Sequence, residues 1–297
     1  MLLGLPEFEW LSTYSVEQTC ALLAESGDDT MVIAGGTDLL TKMKHRRTVP
    51  RRIINIKQIP HLDRISYDET DGLRIGALAT VQAIETAAVI ARRFPALKQA
   101  AAVLGTTQIR NTATLGGNLA NASPSAEFAP PLIALGASVR CVGLGGERRV
   151  AVEELFVAPG KTVLRRDELL TEVHVPALPA GAQSVYLKHS LRRMDVAIAS
   201  AAVFLWREGD LCREVRIALG AVGPTPFRAT KAEAALRGQR LSAQRLEEAA
   251  RVASHESVPI DDLRAYAAYR CKLVAMLVGE GLEKMGSGSH FQGKREM

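Results

Sequence analysis

The sequence predicts an α+β fold in two parts. Through about residue 175, short β-branched runs alternate with helical patterns; beyond it, strand-like runs come consecutively and helical patterns follow to the end of the chain. Between the halves, Pro176 to Gly181 is rich in Pro, Ala and Gly, which sets the expected boundary between a first domain of residues 1–178 and a second of residues 179–285. The first half also carries two similar glycine segments about eighty residues apart, Ala34-Gly35-Gly36-Thr37-Asp38 and Thr114-Leu115-Gly116-Gly117-Asn118.

The elements follow in order. Ser15 and Gln18 stand at capping-box spacing beside the apolar positions Val16, Cys20 and Leu23, and Gly27 closes the pattern, so a helix is expected from about 15 to 26. Met31-Val32-Ile33 is too short and too abruptly stopped for a helix and reads as a strand, as do Arg52 to Ile56 and Leu73 to Ala77. Helices are expected near Val81 to Arg92 and Ala96 to Leu104. The segment from Thr107 to Glu127 has almost no apolar periodicity and reads as a long binding loop. Two short strands between Val139 and Val152 meet at Gly143-Leu144-Gly145-Gly146, a hairpin turn because a strand and not a helix follows it. In the second half, Ser184 to Lys188, Ala197 to Trp206 and Val215 to Ala221 predict a three-stranded antiparallel sheet. Helices start at about 230, and Tyr266, Tyr269, Leu273 and Leu277 share helical spacing in the last one. The polar tail, residues 286–297, is expected to be disordered.

The glycine segments carry the chemistry. Each comes where the backbone must turn, and Gly35 and Gly36 can take positive φ there. Without Cβ atoms, successive N–H groups can converge on an anion at close range, and Thr37 adds a hydroxyl donor. Two such segments suggest one dinucleotide diphosphate held from two sides. No Gly-x-Gly-x-x-Gly follows a strand, so a Rossmann site is not expected.

Composition limits the alternatives. The 297 residues are 47% hydrophobic with a net charge of +5, enough apolar content for two cores. No apolar run approaches a membrane span, and the amino terminus does not read as a secretory signal, so a cytoplasmic location is expected. Cys20, Cys141, Cys212 and Cys271 are widely scattered, lack the close spacing of metal or iron–sulfur ligands, and read as buried small residues. Lys42, Lys44, His45, Arg46, Arg47, Arg51 and Arg52 crowd just after the first glycine segment. A solvated face is one reading of this run; a docking surface for an acidic subunit or an entry route for an anionic electron acceptor is the other. Nucleic acid is disfavoured, because no recognition motif or aromatic interleaving accompanies the charges.

Taken together, Ala-Gly-Gly-Thr-Asp-Leu-Leu (34 to 40), Gln-Ile-Arg-Asn-Thr-Ala-Thr-Leu-Gly-Gly-Asn-Leu-Ala (108 to 120) and Pro-Leu-Ile-Ala-Leu-Gly-Ala (131 to 137) closely resemble the FAD-binding medium subunit of molybdenum hydroxylases, the group of carbon monoxide and xanthine dehydrogenases. The similarity continues through Tyr186-Leu187-Lys188, Arg193-Met194-Asp195-Val196-Ala197, Gly220 to Pro226 and Tyr269-Arg270, and so covers nearly the whole chain. It implies a vanillyl-alcohol-oxidase (PCMH)-like FAD domain followed by the C-terminal domain of these flavoproteins. It also implies an oxidoreductase subunit that passes electrons from its FAD to an external acceptor such as NAD or a quinone. A small subunit with two 2Fe-2S clusters and a large molybdopterin subunit would be its partners, in a heterohexamer of two trimers. The substrate would then be recognised on another polypeptide. The family's branch with a cysteine-rich insertion after the second segment is disfavoured, since Glu127 runs straight into Phe128-Ala129-Pro130-Pro131.

Site residues follow from the resemblance position by position: Ile33, Ala34, Gly35, Gly36, Thr37, Asp38 and Leu39 around the first segment, and Thr114, Leu115, Gly116, Gly117 and Asn118 in the second. Glu127 stands where relatives usually have aspartate and would accept hydrogen bonds from ribityl or ribose hydroxyls; read by itself, it is an acid at a helix start. Lys188 matches a lysine near the flavin ring, where an ammonium raises the flavin's potential, and Leu169 matches an apolar contact. Asp195 fits either a ring-proximal aspartate or a cap, and Leu104 either an adenine contact or core. The first segment offers Thr37 and no histidine, so FAD is expected to be noncovalent. A self-sufficient flavin oxidoreductase of the same superfold, resembling the cell-wall enolpyruvate reductase, and a nonredox nucleotide-binding scaffold are the competing readings; the first lacks an obvious proton-donating acid in the second half.

Overall fold

A computed structural model describes residues 4–27 and 29–286. The chain opens with strand β1 (Glu9–Ser12), helix α1 (Val16–Glu25), strand β2 (Thr30–Ile33), helix α2 (Leu39–Lys44) and strand β3 (Arg52–Asn55). The Ser15 hydroxyl caps α1 by accepting from the Gln18 N–H, while the Gln18 side chain accepts from the Tyr14 N–H, so the expected capping pair operates one residue wider than the motif. β3 lies between β1 and β2 in a parallel sheet, Ile33 paired with Asn55, and this register ends the sheet where the first glycine segment begins.

Next come β4 (Ile65–Asp68), β5 (Gly72–Gly76), α3 (Val81–Thr86), α4 (Ala88–Arg93), α5 (Pro95–Val103), α6 (Thr107–Arg110), α7 (Leu115–Ala120) and α8 (Ala129–Ala134). The single helix expected over 81–92 is broken at Ala87, whose ψ is 117°. A continuous helix would set Ile84 and Ile90 about 120° apart around its axis; the break turns both fully into one core. The expected loop from 107 to 127 instead holds two short helices, capped by the side chains of Thr106 and Thr114, each too short to show a period in sequence.

β6 (Ser138–Gly143) and β7 (Gly146–Ala151) form the expected hairpin, with Gly143 opposite Gly146. After the small pair β8 (Phe156–Ala158) and β9 (Lys161–Thr162) comes β10 (Leu169–Val175), an unanticipated strand at the centre of an antiparallel sheet ordered β4-β5-β10-β6-β7.

The last part contains β11 (Gln183–His189), β12 (Ala199–Glu208), β13 (Leu211–Gly220), β14 (Phe227–Arg228), α9 (Thr230–Leu236), α10 (Ala243–Glu256) and α11 (Ala267–Gly286). Its antiparallel sheet has four strands and not three: β14 pairs Ala218 with Arg228 and Leu219 with Phe227, directly after prolines that mask a strand in sequence. Tyr266 sits just before α11 and not in it. Gly286 ends α11, and the rest of the expected tail lies outside the described residues. Alternation divides the sheet's faces. Tyr186, Ala202, Phe204 and Ala218 join the core of the first half, whereas Val185, Ala201, Val203, Leu205, Ile217 and Leu219 pack with α9, α10 and α11.

Arg270 of α11 is the polar tie of this layer. Its buried guanidinium donates to the Ile198 carbonyl at 2.7 Å, the Ala221 carbonyl at 3.2 Å and Asp262 Oδ1 at 2.7 Å. Since the Ile198 N–H donates to the His189 carbonyl, the same side chain secures the base of the loop from Ser190 to Ala197. Cys20, Cys141 and Cys212 are buried as expected, Cys271 only partly, and no metal-binding group of His, Cys, Asp or Glu exists among the described residues. No helix among them is long and apolar enough to cross a membrane. Replacing Arg270 with Met strips donors from two carbonyls and a carboxylate, and should lower the unfolding free energy by about 2–4 kcal/mol in urea titrations.

Candidate functional site

A cavity of about 540 Å³, within the range of small-ligand sites, opens where the two glycine segments meet. Ile33, Ala34, Gly35, Gly36, Thr37, Asp38 and Leu39 line it from the β2–α2 side, and Thr114, Gly116, Gly117 and Asn118 from α7. Leu104, Glu127 and Leu169 complete the expected residues in its wall.

Gly35 explains why the two segments come together. A Cβ there would lie 2.2 Å from the Thr112 carbonyl oxygen and 3.0 Å from Ala113 Cα, so the backbone of the first segment rests directly on the approach to the second. Of the two glycines that could take positive φ, only Gly36 does, at 72°; Gly35 serves close packing. Among the described residues, the N–H groups of Gly35, Gly36, Thr37 and Asp38 donate to no protein oxygen. Four donors in the cavity wall thus lack a partner in the protein, an arrangement suited to an anion.

The second segment behaves differently. Leu115 and Gly116 donate their N–H groups to the carbonyls of Ala79 and Ala77 at 3.0 and 2.8 Å, and Gly117 donates to the Thr114 hydroxyl at 3.2 Å. Gly116 is glycine because a Cβ would meet Ala77 Cβ at 2.7 Å. Two of the second segment's amides thus anchor it to the chain beyond β5, and those of Gly117 and Asn118 are used within its own first turn. What it offers the cavity is the Asn118 side chain, whose Oδ1 is buried without a hydrogen-bond partner.

Three expected residues stand off the wall. Leu115 is wholly buried in the core, its apolar side chain turned away by the first turn of α7. Lys188 of β11 is buried behind the cavity, where its ammonium donates to Glu127 Oε1 at 3.0 Å and the Val103 carbonyl at 3.1 Å. Asp195 lies in a turn closed by its own N–H donating to the Arg192 carbonyl, while its neighbours Met194 and Val196 reach the wall. Burial pushes the Glu127 carboxyl above the usual carboxylate range, and Lys188 pulls it part of the way back.

Other wall residues were not anticipated. Lys42, Ile109, Asn121, Ser123 and Ser125 were visible only as part of a basic run and of the segment from 107 to 127; Glu168 gave no signal. Glu168 receives a two-pronged pair from Arg148, Nε to Oε1 at 2.7 Å and a terminal nitrogen to Oε2 at 2.8 Å, and the Arg165 N–H donates to it at 2.7 Å. The bonds from Arg148 hold its carboxyl below the ordinary range.

This geometry sits in a chain whose residues 6–178 match the FAD binding domain in molybdopterin dehydrogenase. The chain belongs to that family. Residues 184–285 match the CO dehydrogenase flavoprotein C-terminal domain. The chain is 31% identical to the carbon monoxide dehydrogenase medium chain of Hydrogenophaga pseudoflava over 93% of its own length and 96% of the relative's. It is 34% identical to the 6-hydroxypseudooxynicotine dehydrogenase complex subunit alpha of Paenarthrobacter nicotinovorans over 94% of both. A solved structure of carbon monoxide dehydrogenase from Hydrogenophaga pseudoflava, lacking the Mo-pyranopterin moiety of its molybdenum cofactor, superposes with a TM-score of 0.92 at 33% identity, covering 95% of this chain and 98% of that one. The chain is accordingly an FAD-binding subunit of the molybdenum hydroxylase-type dehydrogenases, which are oxidoreductases.

Two outcomes follow. Gly35→Ala should separate the segments, reducing bound FAD in the purified chain by more than about tenfold and lowering stability by about 1–3 kcal/mol. Glu168, whose folded-state pKa is depressed, stabilises the fold above its unfolded value near 4.5, and that contribution is lost as pH falls through the lower folded value. Arg148→Met should therefore melt well below wild type at about pH 6, with the gap closing toward about pH 3.

Proposed function

We propose that this chain is the FAD-carrying electron-transfer subunit of a multisubunit molybdenum hydroxylase, standing between the 2Fe-2S clusters of a small subunit and an external acceptor such as NAD or a quinone. The observation that carries this reading is the turn of four unpartnered amides from Gly35 to Asp38, facing Asn118 and Glu127 across one cavity. Bound there, FAD supplies chemistry that accepts electrons singly or in pairs. The protein's own part is to hold it. The amides of Gly35 to Asp38 with the Thr37 hydroxyl donate to the diphosphate, and Asn118 and Glu127 accept from sugar or ribityl hydroxyls. Ile33, Leu104 and Leu169 supply apolar contact and exclude water. Lys188 positions the Glu127 carboxylate from behind, so its influence on the cofactor passes through that carboxylate. Asp195 shapes the loop that presents Met194 and Val196, and Leu115 packs the base of α7.

The domain limits 1–178 and 179–285 are part of this proposal, supported by the matched ranges. So is a vanillyl-alcohol-oxidase-like architecture for the first domain, supported by the parallel β1-β3-β2 sheet beside a larger antiparallel sheet with the cavity walls drawn from both. The medium chains and complex subunits among the relatives support a small 2Fe-2S subunit and a large molybdopterin subunit as partners, in two trimers.

The full chain, expressed with its neighbouring reading frames, should copurify with two further subunits and show a flavin absorption spectrum. Acid denaturation should leave all yellow colour in the supernatant, since no histidine occupies the first glycine segment. Flavin retained on the precipitated chain overturns the noncovalent site; substrate hydroxylation by the FAD-loaded chain alone overturns the subunit role.

A further inference from the structure

Four charged side chains line the cavity: Asp38, Lys42, Glu127 and Glu168. Two of the three carboxylates have cationic partners of their own, Glu127 with Lys188 at 3.0 Å and Glu168 with Arg148 at 2.7 Å. Neither Lys188 nor Arg148 belongs to the wall, and each is committed to its pair. Among the described residues, Lys42 is thus the single cation the cavity presents.

Its placement is specific. Lys42 lies one helical turn beyond the amide turn, its N–H donating to the Asp38 carbonyl at 2.9 Å. Its ammonium donates to Asn121 Oδ1 at 2.6 Å, joining α2 to the residue that ends α7. The acceptor is a neutral amide, so the bond orients the charge without cancelling it, and an ammonium keeps two further donors. No other member of the basic run lines the cavity, and three have partners elsewhere: Arg46 bonds the carbonyls of Gly4 and Met43, Arg51 pairs with Asp29 and Arg52 with Glu9. Amides supply donors but no net charge. A diphosphate entering a cavity otherwise lined by carboxylates needs a counter-charge.

We propose that Lys42, braced by Asn121, is the counter-ion of the cofactor's diphosphate, bonding a phosphate oxygen beside the Gly35–Asp38 amides. This rests on the FAD site proposed above. It assigns one member of the basic run to the cofactor and not to a partner surface.

The test uses the full-length chain stripped of flavin, titrated with FAD at ionic strengths from about 50 to 500 mM. Lys42→Met should raise the Kd about tenfold to a hundredfold and flatten its dependence on salt. Asn121→Ala, which keeps the ammonium, should bind more weakly than wild type but retain the salt dependence. Wild-type affinity in Lys42→Met, or weakened binding with the wild-type salt dependence, overturns the counter-ion role while leaving the FAD site standing. Failure of the wild-type chain to bind FAD overturns the site itself and this assignment with it.

Discussion

The site depends on a backbone contact that leaves no room for a side chain. Gly35 lies against the carbonyl of Thr112, and that stretch is itself fixed: the Ala113 carbonyl accepts from the Val81 N–H, Thr114 bridges to Thr80, and Leu115 and Gly116 bond the carbonyls of Ala79 and Ala77. The chain just beyond β5 is therefore the common reference for both glycine segments. Any atom inserted at Gly35 moves the amide turn relative to Asn118, because interiors at this density transmit displacement instead of absorbing it. Gly116 repeats the device one layer down, against Ala77.

Electrostatics then joins the second half of the chain to the cavity. Glu127 precedes α8, Val103 ends α5, and Lys188 comes from β11, so a single buried ammonium ties two helices of the first half to the C-terminal sheet. A buried pair of this kind contributes little net stability, yet removing either partner strands a charge in a medium that solvates it poorly. Its value lies in position: with the lysine fixed by the Val103 carbonyl, the carboxylate is held in the wall of the cavity.

Much of this architecture was legible in the residues because it obeys simple periods. The helix from Ser15, the glycine hairpin after β6 and the strands β11 to β13 all announce themselves by caps, turn residues or alternation. β10 did not: Glu172 and His174 interrupt Leu169-Leu170-Thr171-Glu172-Val173-His174-Val175, and the ion pair of Glu172 with Arg74 that makes a charge tolerable there is a long-range fact. β14 was masked by Pro224 and Pro226, and the break at Ala87 violates alanine's own helical preference for the sake of burying Ile84 and Ile90. In the site, the glycine segments were visible as motifs, but which amides are spent on the fold and which face the cavity depends on Ala77 and Ala79, residues with no distinguishing side chain.

That division of labour gives the cavity a polarity that a symmetric pair of phosphate loops would lack. Free N–H groups and the Lys42 ammonium lie on the α2 side beside the Asp38 carboxylate, whereas the α7 and α8 side contributes the unpartnered Asn118 Oδ1 and the Glu127 carboxylate. Donors facing donors would suit a bare phosphate or sulfate as well as a nucleotide. Donors facing acceptors suit a ligand whose anionic centre is flanked by hydroxyl groups, since each unsatisfied buried group costs about 1–3 kcal/mol until it is met. A bare anion carries no hydroxyl to donate and would leave the buried Asn118 Oδ1 without a partner. With donors spent on the fold in one segment and left free in the other, the arrangement suits a sugar-bearing diphosphate better than a bare anion.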